Sequence, residues 1–362
     1  MSCKFATAPS FPINTFALHF ASAGSWLSKR LSLSRITNSA DSSSANSEPL
    51  VNFCSTSATN LDLVESGILE AITRLPAVLA YHLYTLFLFT KSDFKTTVLP
   101  ITVLAAASTP LGEHSFRRLL HVLFWVWLHV LQFDVSNQTQ DPAEDALNKR
   151  DRPLPSGRIS LPTAVYLRWA LVPLCWLLSA CYSRETLGAS VALVAFTVLY
   201  DELGAHAGHW LTRNAVNAVG FASFEVGASL IAGANRHNLD STAQLGIFLS
   251  ACVFLSTIQA QDFKDVIGDG LVGRRTLPIV HPTLSRPTLA LFLLSWSAGL
   301  ALIWRLDLRL ALVFALSGAI VAYCFIRAQS VKADQRAFYL YNVWLSFAHV
   351  LPVFWRLRAA AA

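Results

Sequence analysis

The chain is 362 residues long, 54% hydrophobic and only 14% charged, with a mean hydropathy of +0.46. A soluble domain carries roughly a quarter charged residues, so this composition excludes an ordinary soluble enzyme and points to a multi-pass integral membrane protein. The net charge of +6 sits in short loops between apolar runs rather than along one face, which argues against nucleic acid as a partner.

Residues 1–65 are rich in Ser, Thr, Ala and Asn, and Lys4, Lys29, Arg30 and Arg35 precede the first acid, Asp41. Two readings stand for this segment, a mitochondrial-type transit segment or a disordered cytosolic tail. A single transmembrane domain is expected over residues 66–362. Residues 76–91 predict a short apolar helix at the membrane interface or at the opening of the bundle. Nine spans follow, near 96–112, 115–136, 162–183, 186–202, 214–233, 243–261, 287–304, 307–327 and 338–356. The expected fold is an all-α bundle of about nine transmembrane helices. The six cysteines form no CxxC pair and read as small core residues rather than disulfide or zinc ligands.

Loop charge predicts the orientation. Twelve basic residues, among them Lys149, Arg152, Arg158, Arg213, Lys264 and Arg274, follow the even-numbered spans, against six in the opposite connections. The richer side is expected in the cytosol. The organelle stays open between endoplasmic reticulum and mitochondrion.

Two acidic stretches lie on that side, each at the end of an apolar run. In NQTQDPAEDALNKRDRPLPSGRIS, residues 137–160, Asn137, Asp141 and Asp145 are spaced by four. In DFKDVIGDGLVGRRT, residues 262–276, Asp262, Asp265 and Asp269 are spaced by three and four. On helices each set would stack along one face. Pro142 interrupts the first set and makes a kink or break expected before Asp145. Acids beside a bilayer are costly, so two such clusters point to function. Magnesium favours oxygen ligands and is commonly held by one or two carboxylates together with substrate phosphates. Facing clusters would therefore clamp a diphosphate through magnesium. Arg152, Arg158, Arg213, Lys264, Arg274 and Arg275 are candidates to neutralise its remaining charge, although cytosolic loops carry such residues for topology alone.

These two stretches resemble the paired aspartate-rich motifs of the UbiA-type membrane prenyltransferases, NDxxDxxxD followed by RPLPSGR and DxxDxxxD followed by GRRTLP. The resemblance runs from about residue 76 to the C-terminus. It implies a nine-helix bundle around a central cavity, and magnesium-dependent ionisation of an isoprenyl diphosphate at the cytosolic mouth. Matched motif by motif, Asn137, Asp141 and Asp145 would be metal ligands of the first site, and Asp262, Asp265 and Asp269 of the second. Gln138 departs from the pattern, since many aromatic prenyltransferases have aspartate there. That departure, with the segment SDFKTTVLP at Ser92–Pro100, is similar to fungal members of the family. The branch includes terpene cyclases as well as transferases.

Further residues suggest the cavity wall. Asn214, Asn217, Phe221, Phe224 and Ala228 share a helix face, and the two rings would stabilise an allylic cation unless they only pack helices. Tyr200 would face substrate or anchor the interface. Glu225, deep in an apolar run, is a proton acceptor or a partner for a neighbouring helix. Asp134 would share the Asn137 face or pair locally. His206 and His209 have loose metal-ligand spacing but read better as a solvated loop. The expected function is a terpene cyclase acting on a C15 or C20 isoprenyl diphosphate. The alternative is prenyl transfer to an aromatic acceptor. A cation or proton transporter would explain intramembrane acids but not the RPLPSGR and GRRTLP loops.

Overall fold

The computed structural model of the chain describes residues 55–110, 115–140, 142, 145–146 and 149–361, with side chains described over 73–110, 115–140, 142, 145–146 and 149–359. Most of the expected N-terminal tail, and Asp141 of the first acidic set, lie outside the described residues. The chain divides into two compact units, Met1–Ala71 and Ile72–Ala362. Of the first, the described part is the start of helix α1.

Every regular element among the described residues is a helix. Helix α1 runs Ser55–Thr90, so the short helix expected at 76–91 is the end of a longer one that passes through Pro76. A π-helical turn, Phe94–Val98, leads into α2, Leu99–Ser108. Then come α3, Ser115–Gln140, α4, Leu161–Ala180, α5, Arg184–Asp201, α6, Trp210–Ala232, and α7, Ser241–Thr257. The short α8, Val266–Leu271, and α9, Leu277–Val280, precede α10, Pro282–Ile303, α11, Leu308–Arg327, α12, Val331–Val350, and α13, Pro352–Ala361.

Helix starts follow local chemistry. Ser160, Ser183, Asp240, Asp307 and Ser330 each accept a backbone N–H of the first turn, at the N-termini of α4, α5, α7, α11 and α12.

Seven stretches among the described residues are long and apolar enough to cross a membrane: Ser115–Gln140, Leu161–Ala180, Trp210–Ala232, Ser241–Gln261, Pro282–Ile303, Leu308–Arg327 and Val331–Ala359. The chain is an integral membrane protein. Two of the nine expected spans differ. Residues 96–112 correspond to Phe94–Ser108, which is apolar but shorter than a bilayer crossing demands. Residues 186–202 correspond to α5, whose 18 residues include Arg184, Glu185 and Asp201.

Successive long helices pack side by side from α2 to α12, and α12 returns to pack against α2. Helix α6 also touches α2 and α3. Between helices in lipid the hydrophobic effect gives little drive, so close packing and buried hydrogen bonds hold the bundle. Trp125 Nε1 donates to Ser179 Oγ at 2.8 Å, joining α3 to α4. Ser190 Oγ lies 2.7 Å from His129 Nε2, joining α5 to α3. Trp344 Nε1 donates to Ser297 Oγ at 2.9 Å, joining α12 to α10. Outward residues such as Leu291, Leu302, Leu312 and Leu316 remain exposed, as suits helices facing lipid.

Candidate active site

A cavity of about 510 Å³ opens between the helices, with charged residues on one part of its wall and aromatic residues on another. Asn137, in the last turn of α3, lines it. Its amide donates to Asp201 Oδ1 at 3.2 Å, and Ser136 Oγ donates to Asp201 Oδ2 at 2.6 Å. The end of α5 thus fixes the Asn137 side chain. Asp134, one turn earlier, lines the same wall.

The rest of the first motif departs from expectation. Asp145 is buried and does not line the cavity, because Arg152 Nη1 reaches both its oxygens at 2.8 Å and holds it. Burial works against the Arg152 charge, but Asp145 outweighs it and keeps the guanidinium more strongly protonated than usual. Arg152 itself lines the cavity. Gln138 points away from it, donating from Nε2 to the Phe89 carbonyl on α1 at 3.1 Å. Arg158 is also outside the wall. It lies over the Tyr81 and Tyr84 rings, at 4.3 and 5.1 Å, and donates from Nε to Thr85 Oγ1 at 3.3 Å.

The second motif is not one continuous helix. Helix α7 ends at Thr257, tightens into a 3₁₀ turn over Ile258–Gln261, and α8 begins only at Val266. The break still leaves Asp262, Asp265 and Asp269 on the cavity wall. Arg213 Nη1 lies 2.7 Å from both Asp262 oxygens. Burial pushes the Asp262 carboxyl up to about 6, against the pull of Arg213. Lys264 Nζ is paired with Asp265. After α8 the chain reverses at Gly273, whose φ of 75° suits a residue without a Cβ. That reversal brings the Arg274 N–H to the Asp269 carbonyl at 2.9 Å and its Nη1 to Asp269 Oδ1 at 3.0 Å. Asp269 Oδ2 is buried with no hydrogen-bond partner among the described residues.

Arg152, Arg213, Lys264 and Arg274 therefore meet at one mouth. Lys91, Asp93, Lys95, Lys149 and Asp151, which sequence reasoning did not nominate, share the wall. Burial, followed by the nearby Arg152 charge, makes the Lys149 ammonium easier to deprotonate than usual. The available signal for these residues was charge flanking an apolar run.

Tyr200, Asn217, Phe221 and Phe224 also line the cavity, joined by Val130, Phe133, Phe196 and Phe254. Phe221 stacks on Phe254 with centroids 3.9 Å apart and planes 15° apart. Asn217 Nδ2 donates to the Arg213 carbonyl at 2.9 Å. Asn214 and Ala228, expected on the same face, do not line the cavity, and Asn214 Nδ2 turns to Gln259 Oε1 at 3.3 Å. Glu225 takes the helix-pairing alternative: it is fully buried and accepts from Ser250 Oγ on α7 at 2.5 Å. His206 Nδ1 lies 2.7 Å from the Tyr200 carbonyl, and His209 caps α6 through Leu211 N at 3.2 Å.

The donor chemistry fits magnesium. Asp265, the free oxygen of Asp269 and the Asn137 amide offer hard oxygen ligands beside four bases. Among the described residues no three His, Cys, Asp or Glu side chains cluster closely enough to hold an ion unaided. Magnesium commonly has its remaining positions filled by water and substrate phosphates.

Residues 98–347 match the model of the UbiA prenyltransferase family, and the chain belongs to that family. It is 32% identical over 279 residues to the fumagillin beta-trans-bergamotene synthase of Aspergillus fumigatus, covering 76% of this chain and 94% of the relative. It is 28% identical over 274 residues to a diterpene cyclase of Hericium erinaceus, covering 74% and 86%. A polyprenyl transferase of the same fungus is 25% identical over 225 residues, covering 60% of this chain and 75% of the relative. The fold is shared with a UbiA homologue of Archaeoglobus fulgidus solved with GPP and Mg2+, at a TM-score of 0.54 and 14% identity over 74% of this chain and 98% of that one.

Proposed function

We propose that this protein is a magnesium-dependent membrane enzyme that ionises a C15 or C20 isoprenyl diphosphate and cyclises the resulting cation, a terpene cyclase with its mouth towards the cytosol. The observation that carries the reading is that one cavity is lined both by charged residues from helix ends and loops and by aromatic residues from within the helices, such as Phe221, Phe224 and Phe254. The relatives named as a beta-trans-bergamotene synthase and a diterpene cyclase support the same reaction class.

Asp265, Asp269 and Asn137 would hold magnesium, with Asp141 added by the family motif. Bound there, the metal offsets negative charge that builds on the diphosphate as its bond to carbon breaks. Arg152, Arg213, Lys264 and Arg274 take the remaining phosphate charge, each by exchanging or sharing its present carboxylate partner. Asp262 serves chiefly to hold Arg213 in place. The faces of Phe221, Phe224 and Phe254 stabilise the allylic cation, while the apolar walls keep water from it.

Prenyl transfer to an aromatic acceptor is the second reading, favoured by the similarity to a polyprenyl transferase. Membranes holding the protein are given magnesium and farnesyl or geranylgeranyl diphosphate without acceptor. A hydrocarbon product supports cyclisation, whereas turnover only after an aromatic acceptor is added rejects it. Asp265→Ala, Asp269→Ala and Asp141→Ala are expected to abolish turnover in protein that still inserts and purifies. Wild-type rates in these variants contradict the metal assignment.

A further inference from the structure

Carboxyls outside the metal set also reach the cavity. Asp93 belongs to the turn between α1 and the π-helical segment, and Asp134 to α3. Both line the wall. The Asp93 and Asp134 side chains interact with one another at this wall. Two facing carboxyl groups can share a hydrogen bond only when one of them holds the proton, so such a pair is suited to carry a single proton between two acids. Asp93 is oriented by its own neighbours, accepting from Ser92 Oγ at 2.9 Å and from Thr96 Oγ1 at 3.1 Å. Asp134 is 3% exposed, and its Oδ2 has no hydrogen-bond partner among the described residues.

Position separates this pair from the metal set. Asp134 lies one turn of α3 further into the bundle than Asn137, next to the wall residues Val130 and Phe133. It therefore stands between charged and aromatic residues of that wall. Lys149 and Arg152 are the cations that act on Asp134. They compete against a further metal ion between the two acids. The incoming diphosphate would draw on the same two bases, leaving the acid pair more basic once substrate is in place.

We infer that Asp93 and Asp134 form the proton acceptor that ends the reaction. This rests on the ionisation reading above. The carbon–oxygen bond breaks first, and diphosphate leaves with both electrons. After cyclisation a C–H bond beside the cationic carbon breaks. Its electron pair becomes the new C=C bond, and its proton goes to the ionised carboxylate of the pair. The cation is neutralised, and the pair becomes doubly protonated. The extra proton then leaves to water at the mouth.

The test separates ionisation from proton removal. Asp134→Asn and Asp93→Asn proteins in membranes, checked for unchanged thermal unfolding, are given magnesium and geranylgeranyl or farnesyl diphosphate. Diphosphate release and organic products are measured separately. Hydrocarbon formation is expected to fall about 100-fold or more, the scale of a lost general base, with diphosphate release falling far less. The trapped cation should then appear as alcohol from water capture. Unchanged hydrocarbon yield in both variants overturns the assignment. Equal loss of release and hydrocarbon also overturns it, because the acids would then be acting in binding or ionisation. A wild-type protein that releases no diphosphate overturns the ionisation reading itself, and this assignment falls with it.

Discussion

Arg213 Nη1 sits 2.7 Å from both oxygens of Asp262, and the two side chains are almost wholly buried. The pair bridges the start of α6 to the break after α7, so it sets the distance between two parts of the charged mouth. Removing one partner of a buried pair leaves an uncompensated charge, at a cost of about 3–5 kcal/mol. Asp262→Ala should therefore destabilise the protein by that order. The double variant Arg213→Met/Asp262→Leu should recover most of the loss while staying inactive. Thermal unfolding in detergent reads both effects. Equal destabilisation of the single and double variants would show that buried charge is not the cause.

Helices α3 and α6 both contribute to the cavity wall, and Trp125 and Gly227 set how closely they approach. A Cβ added at Gly227 would overlap the six-membered ring of Trp125. The indole has little freedom to retreat, since Nε1 is held by Ser179. Overpacking of this kind costs about 1–3 kcal/mol. Gly227→Ala should lower the unfolding temperature, and it should also widen the gap beside Phe224. A shift of product distribution accompanying the loss of stability is the expected outcome, and unchanged stability would contradict the tight approach.

Much of the site could be read in the sequence because ionisable residues are rare at the ends of apolar runs. Asn137, Asp262, Asp265, Asp269 and four of the six candidate phosphate-binding bases reach one wall, Arg158 and Arg275 being the two that do not. Spacing alone did not reveal that α7 breaks before Asp262, since steps of three and four can be met by a turn between two helices. Nor did it reveal where Arg158 goes, because its partners Tyr81 and Tyr84 are more than seventy residues away. Asp93 and Lys95 were visible as charges but had no nearby partner to give them meaning. Their partners, Asp134 and Tyr339, come from α3 and α12.

Arg158 and Arg274 make a clean contrast. Arg158 belongs to the RPLPSGR loop but packs on α1, whereas Arg274 lines the cavity and donates to Asp269. Arg158→Ala should reduce thermal stability, through lost stacking worth about 0.5–1 kcal/mol for each exposed contact, and leave the KM for the diphosphate near wild type. Arg274→Ala should raise that KM and lower kcat, and it should also cost stability, because it leaves the buried Asp269 carboxylate without its partner. Steady-state kinetics on both variants decides the assignment, and a large KM effect in Arg158→Ala would return that residue to the substrate.

Asp240 caps α7 through Ala243 N at 2.9 Å and receives Arg356 Nη2 on Oδ1 at 2.7 Å. Arg356 also donates from Nε to the Ser108 carbonyl at 2.9 Å, so the pair ties the C-terminal helix to the ends of α2 and α7. Burial opposes the Asp240 charge, but Arg356 and the capping N–H groups outweigh it and lower the carboxyl below its usual range. A group depressed in the folded state stabilises above its unfolded pKa, and that contribution is lost as pH falls through the folded value. The side chain is 41% exposed, so solvent screening keeps the effect small. Wild-type protein should lose stability more steeply than Asp240→Asn on acidification from about pH 5 to about pH 3. Asparagine keeps the cap, which isolates the ion pair. Parallel pH profiles would remove Asp240 from the acid response.

Gln138 tests whether the departure from the aspartate-rich motif bears on the reaction. Were its side chain beside the metal set, Gln138→Asp would add a ligand and push the enzyme towards the pattern of aromatic prenyltransferases. Instead Gln138 is 1% exposed, and Nε2 donates to the Phe89 carbonyl. An aspartate there cannot donate when ionised, and it would face a carbonyl oxygen from a buried position. The lost hydrogen bond and the unsatisfied buried carboxylate together cost at least about 1–3 kcal/mol. Gln138→Asp should therefore lower the unfolding temperature, leave the magnesium dependence of turnover unaltered and create no transfer to an aromatic acceptor. Gln138→Glu, which keeps the length but also loses the donor, should behave in the same way. Tighter magnesium dependence in either variant, with stability retained, would place this side chain at the metal after all.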